Sequence, residues 1–213
     1  MQAFSRGNTV GSLTQLQHEV LVGSLLGDGT LRRQGNRNAL LEVNHCYAQQ
    51  AYVDWKYGVF SSISHSPPTR RLGNGQRVAY RFTTRSMPVL TKYHDWFYRV
   101  AKKIIPNDIE LSALGLAVWY MDDGSKSRSS CYLNTQQFQF TDQKRLIELL
   151  WKTFRIEGRL NRDKQYQRIR VTTEGTQILH RFVEPFVLPC FRYKLCHDPV
   201  TTDPKGKTPT TKG

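Results

Sequence analysis

Apolar residues recur at helical spacing through residues 13–26 and again through 109–121, and both runs end in Asp-Gly: LVGSLLGDG at 21–29 and LAVWYMDDG at 116–124. Asp28 and Asp123 stand 95 positions apart (123 − 28), the mark of a duplicated unit. Each belongs at the C-terminus of a predicted helix, and Gly29 and Gly124 suit a helix end that needs a positive φ. The segments downstream of the two motifs also correspond. After the first, the pattern predicts strands at 30–33 and 39–44 and a helix at 47–63; after a break at Ser66-Pro67-Pro68 come a strand at 77–84 and a helix at 88–103 opened by Pro88. After the second come a strand at 131–136, a helix at 142–154 capped by Thr141, strands near 159–161 and 166–172, and a helix at 175–187. The expected fold is α+β, with two pseudo-symmetric α-β-β-α-β-β-α halves at 13–105 and 106–197, each covering one face of an antiparallel sheet with helices. Residues 1–12 read as a flexible N-terminus, and 198–213, rich in Thr, Pro, Lys and Gly, as a disordered tail.

Side chains alternate across a strand, so RVAYRFTTR puts Arg77, Ala79, Arg81, Thr83 and Arg85 on one face and Val78, Tyr80 and Phe82 on the other. In YQRIRVTT of the second half, Tyr166, Arg168, Arg170 and Thr172 point one way, and Ile169 and Val171 the other. Arg32 and Arg33 extend the first surface, and Arg159 the second. Basic faces at matched places read as a pair of nucleic-acid-binding surfaces, because such side chains contact phosphates and base edges in the major groove. Composition agrees: 31 Lys and Arg against 17 Asp and Glu give a formal charge of +14, which calls for a polyanionic partner. No membrane is expected, since the longest apolar run, 111–121, is too short for a bilayer and contains Ser112 and Gly115. The first eleven residues lack the apolar core of a secretory signal, which points to an intracellular setting, an organelle interior or a bacterial cytoplasm. Cys46, Cys131, Cys190 and Cys196 form no CxxC pair and read as reduced thiols; Cys190, Cys196 and His197 lie close in sequence without a fourth zinc ligand nearby.

Hydrolysis of a phosphodiester needs an attacking water and stabilised charge on the phosphorus oxygens and the leaving group, and a divalent metal held by carboxylates can supply all three. A carboxylate at a helix C-terminus sits in the negative end of the helix dipole and favours such a cation. Gly23 and Gly27 on one helix face, with Ala113 and Ala117 on the other, permit the close approach that brings Asp28 and Asp123 together. Taken singly, each Asp-Gly is also an ordinary turn after a helix.

With these motifs in place the sequence resembles the LAGLIDADG homing endonucleases, specifically the single-chain, two-motif kind encoded within introns. The resemblance extends to Ser66-Pro67-Pro68, KKIIPND at 102–108, YLNTQQFQFTD at 132–142 and LPCFRYKL at 188–195, and so spans nearly all of 13–197. It implies two motif helices along a pseudo-twofold axis, with Asp28 and Asp123 binding Mg²⁺ or Mn²⁺ beside the scissile phosphates, each aspartate serving mainly one strand. Two sheets would form a saddle on the major groove of double-stranded DNA. It also implies a catalytic lysine in each half, Lys103 and Lys194, able to stabilise phosphoryl charge or order the hydrolytic water. His45 and Gln136 fall where the family carries a water-organising side chain, often Gln, so His45 is a departure. Gly27 stands where the second motif has Asp122, and the backbone of that position is what matters for metal. Non-identical halves imply a monomer reading a long, asymmetric target. The rival readings are an RNA-binding maturase for the encoding intron, alone or as a second activity, and a DNA-binding regulator without cleavage.

Overall fold

The computed structural model describes residues 9–10, 13–72 and 78–195. In chain order, the first half carries β1 (Thr9–Val10), β2 (Leu13–Thr14), α1 (Gln15–Leu26), β3 (Thr30–Arg32), β4 (Leu40–Cys46), α2 (Gln50–Phe60), β5 (Thr69–Leu72), β6 (Val78–Thr83), α3 (Pro88–Phe97), β7 (Tyr98–Arg99) and β8 (Lys102–Lys103). The second carries α4 (Ala113–Asp123), β9 (Gly124–Ser127), β10 (Ser130–Leu133), α5 (Phe140–Phe154), β11 (Gly158–Asp163), β12 (Tyr166–Val171) and α6 (Thr173–Val183). The antiparallel sheets run β3-β4-β6-β5 and β9-β10-β12-β11, so both follow the same first-second-fourth-third order. The α+β architecture expected from the repeat is therefore present. Each four-stranded sheet holds one strand that the periodicity did not mark: β5, TRRL, exposed throughout, and β9, GSKS.

The halves meet along α1 and α4. From Val20 to Leu26 no side chain of α1 is more than 1% exposed, and Leu116 to Met121 of α4 are fully buried, so neither segment has a face for water. Thr14 and Gln17 close a capping box on α1, with Gln17 N–H on Thr14 Oγ1 at 3.2 Å and Thr14 N–H on Gln17 Oε1 at 3.0 Å. Ser112 caps α4 by accepting from Gly115 N–H at 3.0 Å, and its hydroxyl donates across the seam to Glu19 at 2.8 Å. Close approach centres on Gly23 against Gly115, rather than on Gly23 with the alanines: a Cβ at Gly23 would strike the Gly115 carbonyl and come within 2.8 Å of Val118 Cβ.

Several expectations are corrected. Gly29 and Gly124 do not adopt positive φ; among the described residues Gly35 is the glycine that does. They are needed for room, because a Cβ on Gly29 would sit 2.7 Å from Ser24 Cβ and one on Gly124 would run into the Tyr120 ring. The helix expected at 88–103 stops at Phe97 and turns into the β7–β8 hairpin. The Tyr98 ring stacks on His94, and its hydroxyl accepts from Leu31 N–H at 3.2 Å, contacts that outweigh local helix propensity. Helix α5 starts at Phe140 with Gln139 as its cap, not at Asp142 with Thr141, because Gln143 turns inward to donate to the carbonyls of Thr135 at 2.7 Å and Gln167 at 2.9 Å. Helix α6 begins under a Thr172 cap and ends at Val183, where Pro185 prevents continuation beyond a short 3-10 turn. The N-terminal reading falls largely outside the described residues, as does the tail reading, and Cys196 and His197 lie outside them too.

The hairpin tip has an unusual composition. Val100 and Ala101 both take positive φ, 47° and 63°, in a two-residue turn of the kind that favours Asn-Gly. A β-branched residue there carries a steric penalty. Val100→Asn with Ala101→Gly is expected to raise unfolding stability by about 1–2 kcal/mol, read as a higher midpoint in chemical denaturation. An unchanged or lower midpoint would show that the native tip is unstrained.

Candidate functional site

Helices α1 and α4 run side by side and deliver their C-terminal residues to one place. Asp28 and Asp123 line a common cavity of about 520 Å³, walled by Gly27, Thr30, Ala101 and Lys103 from the first half and by Asn134, Gln136 and Gln137 from the second. Lys103, carried on β8 and not on a helix end, donates to the Gly27 carbonyl at 2.8 Å. Lys194, in the 3-10 turn Pro189–Lys194, donates to the Met121 carbonyl at 2.5 Å and more distantly to that of Asp122 at 3.4 Å. Gly27 and Asp122 hold the same place in the two motifs, so each lysine answers the negative end of one motif helix.

Burial dominates the electrostatics of the site. Burial, then the charges of Asp28 and Asp122, pushes Asp123 up to about 8. Burial followed by Asp122 raises Asp28 as well. Burial pulls Lys103 down to about 8 and lowers Lys194.

Asp122 behaves differently from the expectation that only its backbone matters. Its carboxylate is fully buried, paired with the equally buried Lys56 at 3.0 and 3.1 Å, and accepts from Asp28 N–H at 3.3 Å. It packs so closely on Gly27 that a Cβ there would approach Asp122 Oδ2 to 2.6 Å. His45 lies on the core face of β4 opposite Tyr80, 7% exposed, with Nδ1 3.7 Å from Asp28 and Nε2 3.9 Å from Asp122. Burial, reinforced by Lys56, depresses it to about 4, so these contacts involve a neutral imidazole at neutral pH. Gln136 reaches the cavity but donates to Asp163 at 2.8 Å. Its neighbour Gln137 donates to the carbonyls of Leu26 and Gly27, at 3.2 and 3.4 Å, and to Asp123 at 3.4 Å. Sequence reasoning missed Lys56 and Gln137. Lys56 had a signal: it stands between Val53 and Phe60 on the apolar side of α2, where a charge requires a partner.

Asp28, His45 and Asp122 each offer a ligand atom within 4.8 Å of the others. Lys56 pairs with Asp122, while Asp28 and Asp123, both raised first by burial, line the cavity and are the carboxylates that could hold a hard divalent cation there.

Strand register defines the faces turned away from the helices. In the first sheet Thr30, Arg32, Glu42, Asn44, Arg81 and Arg71 share one face. In the second, Tyr132, Arg159, Asn161, Arg168 and Arg170 do. Arg32 pairs with Glu42 at 3.0 Å, Arg159 with Glu157 at 2.9 Å, and Arg168 lies 4.0 Å over the Tyr132 ring while donating to Asn134 at 3.2 Å. Arg33 turns off the face to Asp95 at 3.2 Å, and Arg85 donates to the Ser62 carbonyl at 2.6 Å. Arg77 lies outside the described residues. Arg71 joins the face through the unmarked β5.

Residues 18–179 match the model of the LAGLIDADG DNA endonuclease family. The chain belongs to that family. Among solved structures it is similar to "The homing endonuclease I-WcaI bound to its DNA recognition sequence", with TM-score 0.80 and 26% identity over 88% of both chains. It is 28% identical to the probable intron-encoded endonuclease 1 of Wickerhamomyces canadensis, covering 86% of this chain and 85% of that one. It is also 27% identical to the cytochrome b mRNA maturase bI2 of Debaryomyces hansenii, covering 83% of this chain and 72% of the relative. By family and fold this LAGLIDADG chain is a homing DNA endonuclease of the single-chain, two-motif type. Among the described residues no helix is long and apolar enough to cross a membrane.

Because Asp123 keeps a proton up to about pH 8, a divalent cation binding there must displace it. Affinity for Mg²⁺, or for Ca²⁺ as a probe, is expected to rise about tenfold per unit between pH 6 and pH 8, with the slope flattened in Asp123→Asn. A pH-independent binding constant in calorimetry would contradict this assignment.

Proposed function

We propose that this LAGLIDADG protein, as a monomer, cuts both strands of a long, asymmetric double-stranded DNA site, with a divalent ion such as Mg²⁺ or Mn²⁺ held by Asp28 and Asp123. The observation that carries the reading is the convergence of both aspartates in one cavity between two sheets with arginine-bearing open faces. The backbone carbonyls of Gly27 and Asp122 are further oxygen donors beside them. A divalent cation, when bound, stabilises the developing phosphoryl charge and lowers the pKa of an attacking water. Lys103 and Lys194, already fixed on the motif-helix carbonyls, stand where an ammonium can offset charge on the reacting phosphate. Gln137, touching Asp123, and Gln136 are placed to orient water; His45, behind the cavity, acts through Asp28.

Docking falls to the open sheet faces. Arg81, Arg170 and Arg71 neutralise phosphates or read bases, while Arg32, Arg159 and Arg168 are held in fixed geometry by their protein partners. Arg33 and Arg85 flank these faces and, with Arg77 of the sequence before β6, add to the attraction for phosphate. The expected host setting is an organelle or a bacterial interior.

Incubating a randomised duplex library with the protein, with and without Mg²⁺, tests activity and yields the target. Asp28→Asn or Asp123→Asn is expected to lower double-strand cleavage by about a thousandfold or more while target affinity in Ca²⁺ changes little. Full cleavage by either variant would sink the assignment. A second reading, intron RNA binding, is favoured by the similarity to the Debaryomyces hansenii maturase. RNA binding that persists in the doubly substituted protein would support it as an added activity.

A further inference from the structure

We propose that Lys56 is a positioning residue for Asp28, acting through Asp122, and that it serves one of the two strand cuts and not the other; this rests on the nuclease reading above. Two of the places where the halves differ bear on Asp28. The buried positions of α2 are 52, 53, 56 and 60, and those of α5 begin 142, 143, 146 and 150, the same spacing. Lys56 therefore stands where the second half has Leu146, just as Asp122 stands where the first motif has Gly27.

These two departures from the pseudo-symmetry meet. Lys56 comes from the first half and Asp122 from the second, both side chains are 0% exposed, and their closest approach is 3.0 Å. The ammonium also lies 4.3 Å over the Tyr52 ring, whose hydroxyl donates to the Val118 carbonyl of α4 at 3.2 Å. Held inward in this way, the Asp122 carboxylate accepts from Asp28 N–H at 3.3 Å and braces the turn that carries Asp28. Asp123 receives no such brace, because the matching residue is Gly27, which has no side chain and no room for one.

Stability alone does not explain the pair. A buried ion pair is often matched or exceeded by apolar residues of similar volume, and the second half uses Leu146 at the matching position. What an apolar pair cannot do is fix a carboxylate against the backbone of Asp28, and small displacements of a catalytic group cost large factors in rate.

The test uses the full chain and a duplex carrying the target recovered from the library, each strand bearing a different fluorophore, in single-turnover reactions with Mg²⁺. Lys56→Met is expected to change the ratio of the two nicking rates by about tenfold or more, so that singly nicked duplex accumulates, while affinity in Ca²⁺ stays within about threefold. Lys56→Arg should return the ratio most of the way. If Lys56→Met fails to fold, Lys56→Leu with Asp122→Gly, which copies the chemistry of the matching positions and leaves no lone buried charge, gives the same readout. Equal slowing of both strands, or an unchanged ratio, in a variant that melts and binds normally would overturn the proposal. If the unsubstituted protein cuts neither strand, the nuclease reading fails first and this proposal with it.

Discussion

Backbone contact between two helices, at Gly23 of one and Gly115 of the other, is the constraint on which the rest of this LAGLIDADG protein depends. Val20 to Leu26 of α1 and Leu116 to Met121 of α4 have no side open to water, so each segment must be surrounded, by its own half on one flank and by its twin on the other. Side chains larger than hydrogen at that crossing would push the helices apart. Their separation sets the distance between the C-terminal aspartates, and so whether a shared cavity exists at all.

That geometry creates an electrostatic problem at the helix ends. Two negative helix termini converge with three carboxylates, Asp28, Asp122 and Asp123, and three lysines answer them from three different elements. The compensation is uneven. Lys56 pairs directly with Asp122 inside the protein, whereas Lys103 and Lys194 direct their hydrogen bonds to carbonyls and only partly offset the burial that raises Asp123. A site that is incompletely neutralised by its own side chains is one that gains by taking up a cation.

Much of this is legible in the sequence, for identifiable reasons. The nonamers at 21–29 and 116–124 stand out because a helix with no solvent face has no polar positions to dilute the pattern. Strand β6 is legible because Phe82 faces the core while Arg81 does not. By contrast β5 is exposed at all four residues, so no alternation marks it, and Arg71 goes unmarked with it. The end of α3 depends on where the Tyr98 ring and hydroxyl land, which is a tertiary fact. Alignment of Asp122 with Gly27 hides a side chain whose partner, Lys56, lies 66 residues away. Local pattern reports burial and periodicity; it does not report which buried charge meets which.

The buried run of α1 from Val20 to Leu26 also shapes how the chain can be made. Roughly 90 residues separate it from α4, which at synthesis rates of about 5–20 residues per second leaves α1 without its twin for roughly 5–20 s. During that interval the growing chain presents one of the most hydrophobic surfaces it will ever own, shielded on one flank only. Until the second motif emerges, that surface lacks the helix it is buried against, and a product truncated before α4 would keep Val20 to Leu26 without their partner.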